Sequence, residues 1–342
     1  MNIAVIGAGS WGTALAKLLS EKYANVTLWA RSPELVATLT STRENKTYLP
    51  GISLPRGLTF TSDIKATVEQ ADVIFFVTPS HVMRGMAKIV APFVKGAALI
   101  VTAAKGLELG TYKRMSQILA EEFPDHRNKI AALSGPTHAE EVGLGYPAAI
   151  VIASANQATA EQLQDILMTS RFRAYTNPDI IGVELGGALK NIIALGAGIV
   201  EGLGFGDNTK AALMTRGLAE IARLGMAMEA QVATFAGISG VGDLIVTCTS
   251  KHSRNRRAGL LIAAGQSIDD IQQGSKMVVE GIRSTQAAYE LAKRHNIEMP
   301  ITEQAYAILY QNKDPREAVL ELMTRGKTHE LEEVVQQNNL WK

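Results

Sequence analysis

Lys190 is the residue whose surroundings most demand a chemical explanation. It stands inside Ile180–Val200, the most apolar stretch of the chain, where a buried ammonium is costly unless it has partners or work to do. On helical spacing its face carries Val183, Gly186, Gly187, Ala194 and Ala197. These are nearly all small and leave room for a substrate or another backbone to approach. Burial also lowers a lysine pKa toward the range where one group can both donate and accept a proton. A proton-transfer role and a structural ion pair, with Glu184 or another acid, both fit this pattern.

Three further segments carry polar groups suited to a site. Lys105, in Thr102-Ala103-Ala104-Lys105-Gly106, follows a strand pattern, and open α/β sheets bind ligands outside the carboxyl ends of their strands. Leu133-Ser134-Gly135-Pro136-Thr137-His138-Ala139-Glu140-Glu141 is a second strand end, with Pro136 and two acids in the first turn of a helix. The backbone donors around Gly135 and Thr137 suit polar groups of a substrate or cofactor. A surface lysine and a plain helix start are the alternatives. The third segment joins the glycine-rich turn Gly237–Leu244, which carries Asp243, to Thr247-Cys248-Thr249-Ser250-Lys251-His252-Ser253-Arg254-Asn255-Arg256-Arg257. Hydroxyls interleaved with basic groups supply donors of the kind that hold a phosphate. The other readings are a solvated basic loop and a nucleic-acid patch; no aromatic residue interleaves with the charges, as a single-strand platform needs.

Gly7-Ala8-Gly9-Ser10-Trp11-Gly12 follows the first strand pattern and opens the helix Thr13–Ser20. In that setting the first glycine permits a tight turn, the second lets the backbone approach a pyrophosphate, and the third lets helix and strand pack closely. The motif alone is weak, but its placement between strand and helix points to a dinucleotide. The second strand ends in Ala30-Arg31-Ser32, where NAD-specific proteins place an acid for the ribose 2′-OH. Arg31 and Ser32 suit a 2′-phosphate instead, so NADP(H) is preferred. NAD(H), served by Glu34, is the alternative.

The elements that must position these groups fall into two halves. Asn2–Gly7, Asn25–Ala30, Val73–Thr78, Leu99–Ala103 and Ile130–Leu133 read as strands separated by helical patterns, extended by Pro147–Ala153 and Phe172–Thr176. This is the signature of a parallel sheet with crossover helices. From about Pro178 the strands give way to helical periodicity in Ile180–Val200, Thr209–Met228, Arg257–Ala264, Ser284–His295, Thr302–Tyr310 and Pro315–Thr324. The expected fold class is α/β: a Rossmann-type, mostly parallel sheet domain over residues 1–178, then an all-α substrate-binding domain over 179–342, with a cleft between them. The polar end Gln336–Lys342 reads as a frayed tail.

Composition narrows the partners. Lys plus Arg (34) nearly balance Asp plus Glu (33), so no overall field draws the chain to nucleic acid or an anionic membrane. The single cysteine, Cys248, excludes an internal disulfide framework and a multi-cysteine zinc site; no metal is expected. The amino terminus lacks the pattern of a signal peptide, and Glu184 and Lys190 interrupt the apolar stretch, so no stable membrane insertion is expected. A cytoplasmic homodimer is expected, with Ala211–Met228 as either core or dimer face.

In this order, Gly7–Gly12, Ala104-Lys105-Gly106, Leu133-Ser134-Gly135-Pro136, Glu184 with Ala188-Leu189-Lys190-Asn191, Gly242-Asp243-Leu244 with Thr247, Ser253-Arg254-Asn255, and Val279-Glu280-Gly281 resemble the bacterial NAD(P)-dependent glycerol-3-phosphate dehydrogenases. The resemblance implies reversible NAD(P)H-dependent reduction of dihydroxyacetone phosphate to sn-glycerol 3-phosphate, at the entry to glycerophospholipid synthesis. It implies cofactor contacts at Gly7, Gly9, Ser10, Trp11, Gly12, Arg31, Tyr48, Lys105, Ala139, Arg254, Val278 and Glu280. Substrate contacts are implied at Lys105, Gly135, Thr137, Lys190, Asn191, Asp243, Ser253, Arg254 and Asn255. Lys190 matches the proton acceptor, Lys105 and Asn191 would polarise the carbonyl, and Asp243 would position Lys190 or a substrate hydroxyl. One departure is Thr137-His138, where many members have Ser or Asn followed by Phe; a backbone contact at Thr137 survives that change. A β-hydroxyacid or 6-phosphogluconate type of dehydrogenase is the nearest rival and would turn over a carboxylate. A nicotinamide-sensing regulator without turnover is the rival from another class.

Overall fold

The computed structural model describes residues 1–274, 278–327 and 329–330; the expected tail Gln336–Lys342 lies outside the described residues. Ten strands form in the first half: β1 (Asn2–Ile6), β2 (Asn25–Trp29), β3 (Glu44–Asn45), β4 (Leu49–Ser53), β5 (Leu58–Thr61), β6 (Val73–Phe76), β7 (Leu99–Thr102), β8 (Ile130–Ser134), β9 (Ala148–Ala153) and β10 (Phe172–Asn177). Eight of them make one sheet in the order β10-β9-β8-β7-β6-β1-β2-β5. Every pairing is parallel except β8 with β9. The central strands are apolar throughout because helices cover both faces, and β6 and β7 are buried at every position. The edge strand β5 and the hairpin β3–β4 lie outside the strand patterns of the sequence. β5 alternates buried and exposed residues over only four positions, too short a pattern to stand out from a loop.

Beyond Asn177 the described residues are helical, with no strand among them. The central helix, Ile180–Gly202, is buried along nearly its whole length. It is apolar and long enough to cross a membrane, but 83% of its most apolar window is buried inside the protein, as befits a core helix. Asp179 caps it by accepting from Gly182 N at 2.8 Å. The same carboxylate takes the Gln231 N–H at 2.8 Å and the Thr234 hydroxyl at 2.7 Å, fixing the next layer of helices against it. The helix Arg254–Ala263 crosses it so closely that a Cβ on Gly259 would meet Leu195 O at 2.1 Å.

Two helices begin more than two residues earlier than their periodicity implies, at Arg254 and Glu280 instead of Arg257 and Ser284. Their first turns are polar and carry no apolar stripe, so periodicity misses them. Ser253 caps the first by accepting from Arg256 N at 3.2 Å. The glycine-rich turn before Asp243 is a π-helical turn, Ile238–Gly242, running directly into the helix Asp243–Thr249. Such turns are frequent where a helix must present a functional residue.

Candidate active site

The seam between sheet and helices gathers the charged groups around Asp243, which is 1% exposed. Lys105, just past β7, donates to Asp243 Oδ2 at 2.7 Å and to Gly135 O at 3.0 Å. Lys190 donates to Asp243 Oδ1, and to Thr247 Oγ1 at 2.6 Å. The Thr247 hydroxyl in turn donates to Asp243 O at 2.6 Å, so its oxygen is presented to the ammonium. Ser134 Oγ adds a bond to Oδ2 at 3.3 Å. Thr137 joins through its hydroxyl bond to Gly135 O at 3.2 Å.

Two cations around one carboxylate set the titration of the group. Burial pushes the Asp243 carboxyl up, but Lys105 and Lys190 together outweigh it and hold it below the usual range. Burial pulls Lys190 down to about 7, opposed by Asp243 and assisted by Lys105. Lys190 is therefore poised to give or take a proton near neutrality. The ion pair with Glu184 does not form. Glu184 accepts instead from Arg114 Nη1 and from Ser116 N at 2.8 Å, and Lys190 is left to Asp243. The small face beside Lys190 receives protein at Gly187, where a Cβ would lie 2.7 Å from Ser134 Oγ and 3.6 Å from Lys105 Cγ. That close approach is what brings Lys105 and Lys190 to the same carboxylate.

A second network lies one residue along the central helix. Gly281 N donates to Asn255 Oδ1 at 2.9 Å, which fixes the orientation of that amide. Asn255 Nδ2 donates to Asn191 Oδ1 at 2.8 Å, and Asn191 Nδ2 makes a long bond to Gly187 O at 3.5 Å, which leaves its second N–H as a donor. Ser253 Oγ, as a helix cap, keeps its O–H to donate. Arg254 is exposed and held by Val278 O at 3.3 Å, while Arg256 is tied to Glu201, its Nε at 2.9 Å. The basic cluster is thus smaller than its sequence suggests. Among the donors still available for an anion are Ser253, Arg254 and the amino terminus of a ten-residue helix.

The dinucleotide end lies at the carboxyl ends of β1 and β2. Gly7 has φ 115°, and a Cβ there would lie 2.6 Å from Val77 O. A Cβ on Gly12 would meet Gly7 O at 1.9 Å, whereas one on Gly9 meets nothing within 4 Å. The loop is closed against the sheet and open in front, and no side chain caps the helix Ser10–Ser20. A pyrophosphate fits this cradle. Ser10 donates its hydroxyl to Tyr48 O at 2.6 Å, Trp11 packs against Phe172 at 6.5 Å, and Ala139 opens the buried helix Ala139–Gly143. Arg31 is exposed; Glu34 takes the Ser32 hydroxyl. Glu280 accepts from Ser80 N at 3.0 Å and from Ser80 Oγ at 2.7 Å.

Models of the two halves of one family match this chain: the NAD-dependent glycerol-3-phosphate dehydrogenase N-terminus over residues 2–160 and its C-terminus over residues 179–320. The chain belongs to the NAD-dependent glycerol-3-phosphate dehydrogenase family. It is 57% identical to a glycerol-3-phosphate dehydrogenase [NAD(P)+] of Moorella thermoacetica, over 97% of this chain and 98% of that one. It is 49% identical to the Bacillus subtilis protein of the same name, over 98% and 97%. A crystal structure of glycerol-3-phosphate dehydrogenase from Coxiella burnetii superposes with a TM-score of 0.90 at 39% identity, covering 95% of this chain and 99% of the other.

Within this family frame, several supporting residues escaped the motifs. Asn45, in the unanticipated hairpin, donates to Ala8 O at 3.0 Å and to Thr13 Oγ1 at 2.8 Å, buttressing the glycine loop from behind. Arg114 and Ser116 hold Glu184, and Ser80 holds Glu280. Each partner is distant in sequence, and no local pattern announces such pairs. His138, the departure at the second strand end, lies 6.1 Å from the His252 ring. Burial and the nearby Lys190 charge pull its imidazole below the usual range.

Proposed function

We propose that this chain reduces dihydroxyacetone phosphate to sn-glycerol 3-phosphate, reversibly, with NADP(H) preferred over NAD(H), and that Lys190 is the proton donor and acceptor. The activity is the one its family carries. The observation supporting the role of Lys190 is a buried ammonium, pulled to about 7, that faces a carboxylate and a hydroxyl at the seam of sheet and helices.

When bound, a reduced nicotinamide supplies a hydride for C2 of the substrate. Lys190 gives its proton to the C2 oxygen as negative charge grows there, and Asp243 holds the Lys190 amine in place throughout. Lys105 and the second N–H of the Asn191 amide donate toward the same oxygen and polarise the carbonyl. Ser253, Arg254 and the helix amino terminus bind the phosphate, with Asn255 fixing Asn191. In the reverse direction Lys190 starts neutral and takes the proton of the alcohol.

Gly7, Gly9 and Gly12 with the following helix would hold the pyrophosphate. Arg31, which makes no bond to the described residues, would pair with a 2′-phosphate. Buried, unpaired Cys248 suits a reducing cytoplasm, where the product would supply glycerophospholipid synthesis. A homodimer fits the helix Asp207–Ala227, which leaves Leu213, Met214 and Leu218 only partly buried.

The test pairs NADPH or NADH with dihydroxyacetone phosphate or a 3-oxoacid and follows loss of the reduced nicotinamide absorbance. The expected result is turnover of the triose phosphate with NADPH and none of the oxoacid. Dinucleotide binding without turnover of either substrate would sink the proposal.

A further inference from the structure

Ser80 follows the peptide that runs out of β6 against the glycine loop, where Val77 O closes on Gly7. It is 2% exposed, and its neighbours come from distant parts of the chain. On one side is Gly106, the residue after Lys105: a Cβ there would lie 2.6 Å from both Ser80 Cβ and Oγ, and 3.2 Å from Glu280 Oε2. On the other side is Glu280, the first residue of the helix Glu280–His295. Ser80 gives it two bonds, from its N–H to Oε1 at 3.0 Å and from its hydroxyl to Oε2 at 2.7 Å. Both are charge-assisted, and the two-point fit fixes the plane of the carboxylate.

The pair continues into the site. Gly281, next in the chain, donates to Asn255, and Asn255 to Asn191, beside Lys190. Bonded contacts therefore run from the sheet end under the dinucleotide cradle, across the seam, to the neighbour of the proposed proton donor. Glu280 keeps further lone pairs free after both Ser80 bonds.

We propose that Ser80 is a positioning residue: through Glu280 it docks the start of the helix Glu280–His295 onto the sheet end that carries the glycine loop and Lys105, so that the seam closes on bound dinucleotide. This rests on the dinucleotide reading above. The hydroxyl acts through the carboxylate, so its loss weakens dinucleotide binding and adds nothing once the carboxylate is gone.

The experiment measures the Kd of NADPH and of NADH by fluorescence titration for wild type, Ser80→Ala, Glu280→Gln and the double variant, together with the Tm of each without ligand. Ser80→Ala is expected to raise both Kd values about tenfold, the scale of one charge-assisted hydrogen bond. Glu280→Gln, at a partly exposed position, is expected to raise them at least as much. The double variant is expected to stay within about twofold of Glu280→Gln, the signature of residues acting as one unit. A purely structural serine would lower the Tm and leave Kd unchanged, and that result, or additive effects in the double variant, would overturn the inference. Wild-type protein binding neither dinucleotide would overturn the functional reading and this inference together. Wild-type binding that neither variant weakens would overturn this inference alone.

Discussion

Lys105 donates to Asp243 Oδ2 at 2.7 Å across the seam, from a sheet-strand end to the first residue of a helix. This leaves Oδ1 to Lys190. One carboxylate therefore positions both ammoniums and keeps a negative charge beside Lys190, without which burial would pull that amine lower still.

That arrangement sets the pH dependence. Lys190 is a base whose folded pKa is lowered, to about 7, so its proton-donating form dominates below that pH. kcat/KM for reduction of the triose phosphate is expected to fall as pH rises through about 7, and kcat/KM for oxidation to rise over the same interval. Asp243→Asn removes the charge that raises the Lys190 pKa, and its reductive limb is expected to fall at lower pH than in wild type. Initial rates across pH 5–9 read both limbs.

Arg31 is the residue proposed above to meet the 2′-phosphate. Arg31→Ala is expected to raise KM for NADPH about tenfold, the loss of one exposed charge-assisted contact, while KM for NADH moves by less than about twofold. Paired saturation curves check it, and equal effects on the two cofactors would remove Arg31 from the 2′-phosphate.

How much of this is legible in the sequence depends on distance along the chain. The glycine loop is readable because its three glycines lie within six consecutive residues between a strand and a helix. Lys190 is readable because a cation in an apolar helix breaks its own local pattern. Asp243 and Arg254 lie in segments whose composition points to an anion, yet nothing local says that Arg256 of that cluster is held by Glu201. Nor does Glu184 announce Arg114, which lies 70 positions away, or Glu280 announce Ser80, 200 positions away. The starts of the helices at Arg254 and Glu280 escape because their first turns are polar, so the periodicity that finds core helices is absent there.

Glu184 tests the seam itself. Its carboxylate is buried between Arg114 and Ser116, and Glu184→Ala strands a guanidinium that is 8% exposed. The expected cost is about 3–5 kcal/mol of stability, read from the urea midpoint at constant m-value. A loss under about 1 kcal/mol would mean that water replaces the carboxylate at no great cost.

Glu220 tests the far side of the helical region. It caps Pro300–Tyr310 by accepting from Ile301 N at 2.6 Å and Thr302 N at 3.2 Å. Burial pushes its carboxyl up to about 7 despite those bonds. An acid whose pKa is higher folded than unfolded binds more protons in the native state between about 4.3 and that value, so its contribution to stability falls as pH rises there. The Tm of wild type is expected to decline relative to Glu220→Gln between pH 5 and 8. A pH-independent difference would show that Glu220 is ionised throughout.

The central claim is that Lys190 moves the proton, and steady-state turnover of Lys190→Met, with dinucleotide affinity measured alongside, tests it most directly. The expected result is folded protein that binds NADPH within about twofold of wild type and reduces dihydroxyacetone phosphate about a thousandfold more slowly, as loss of a general acid requires. Folded Lys190→Met turning over within about tenfold of wild type would contradict it.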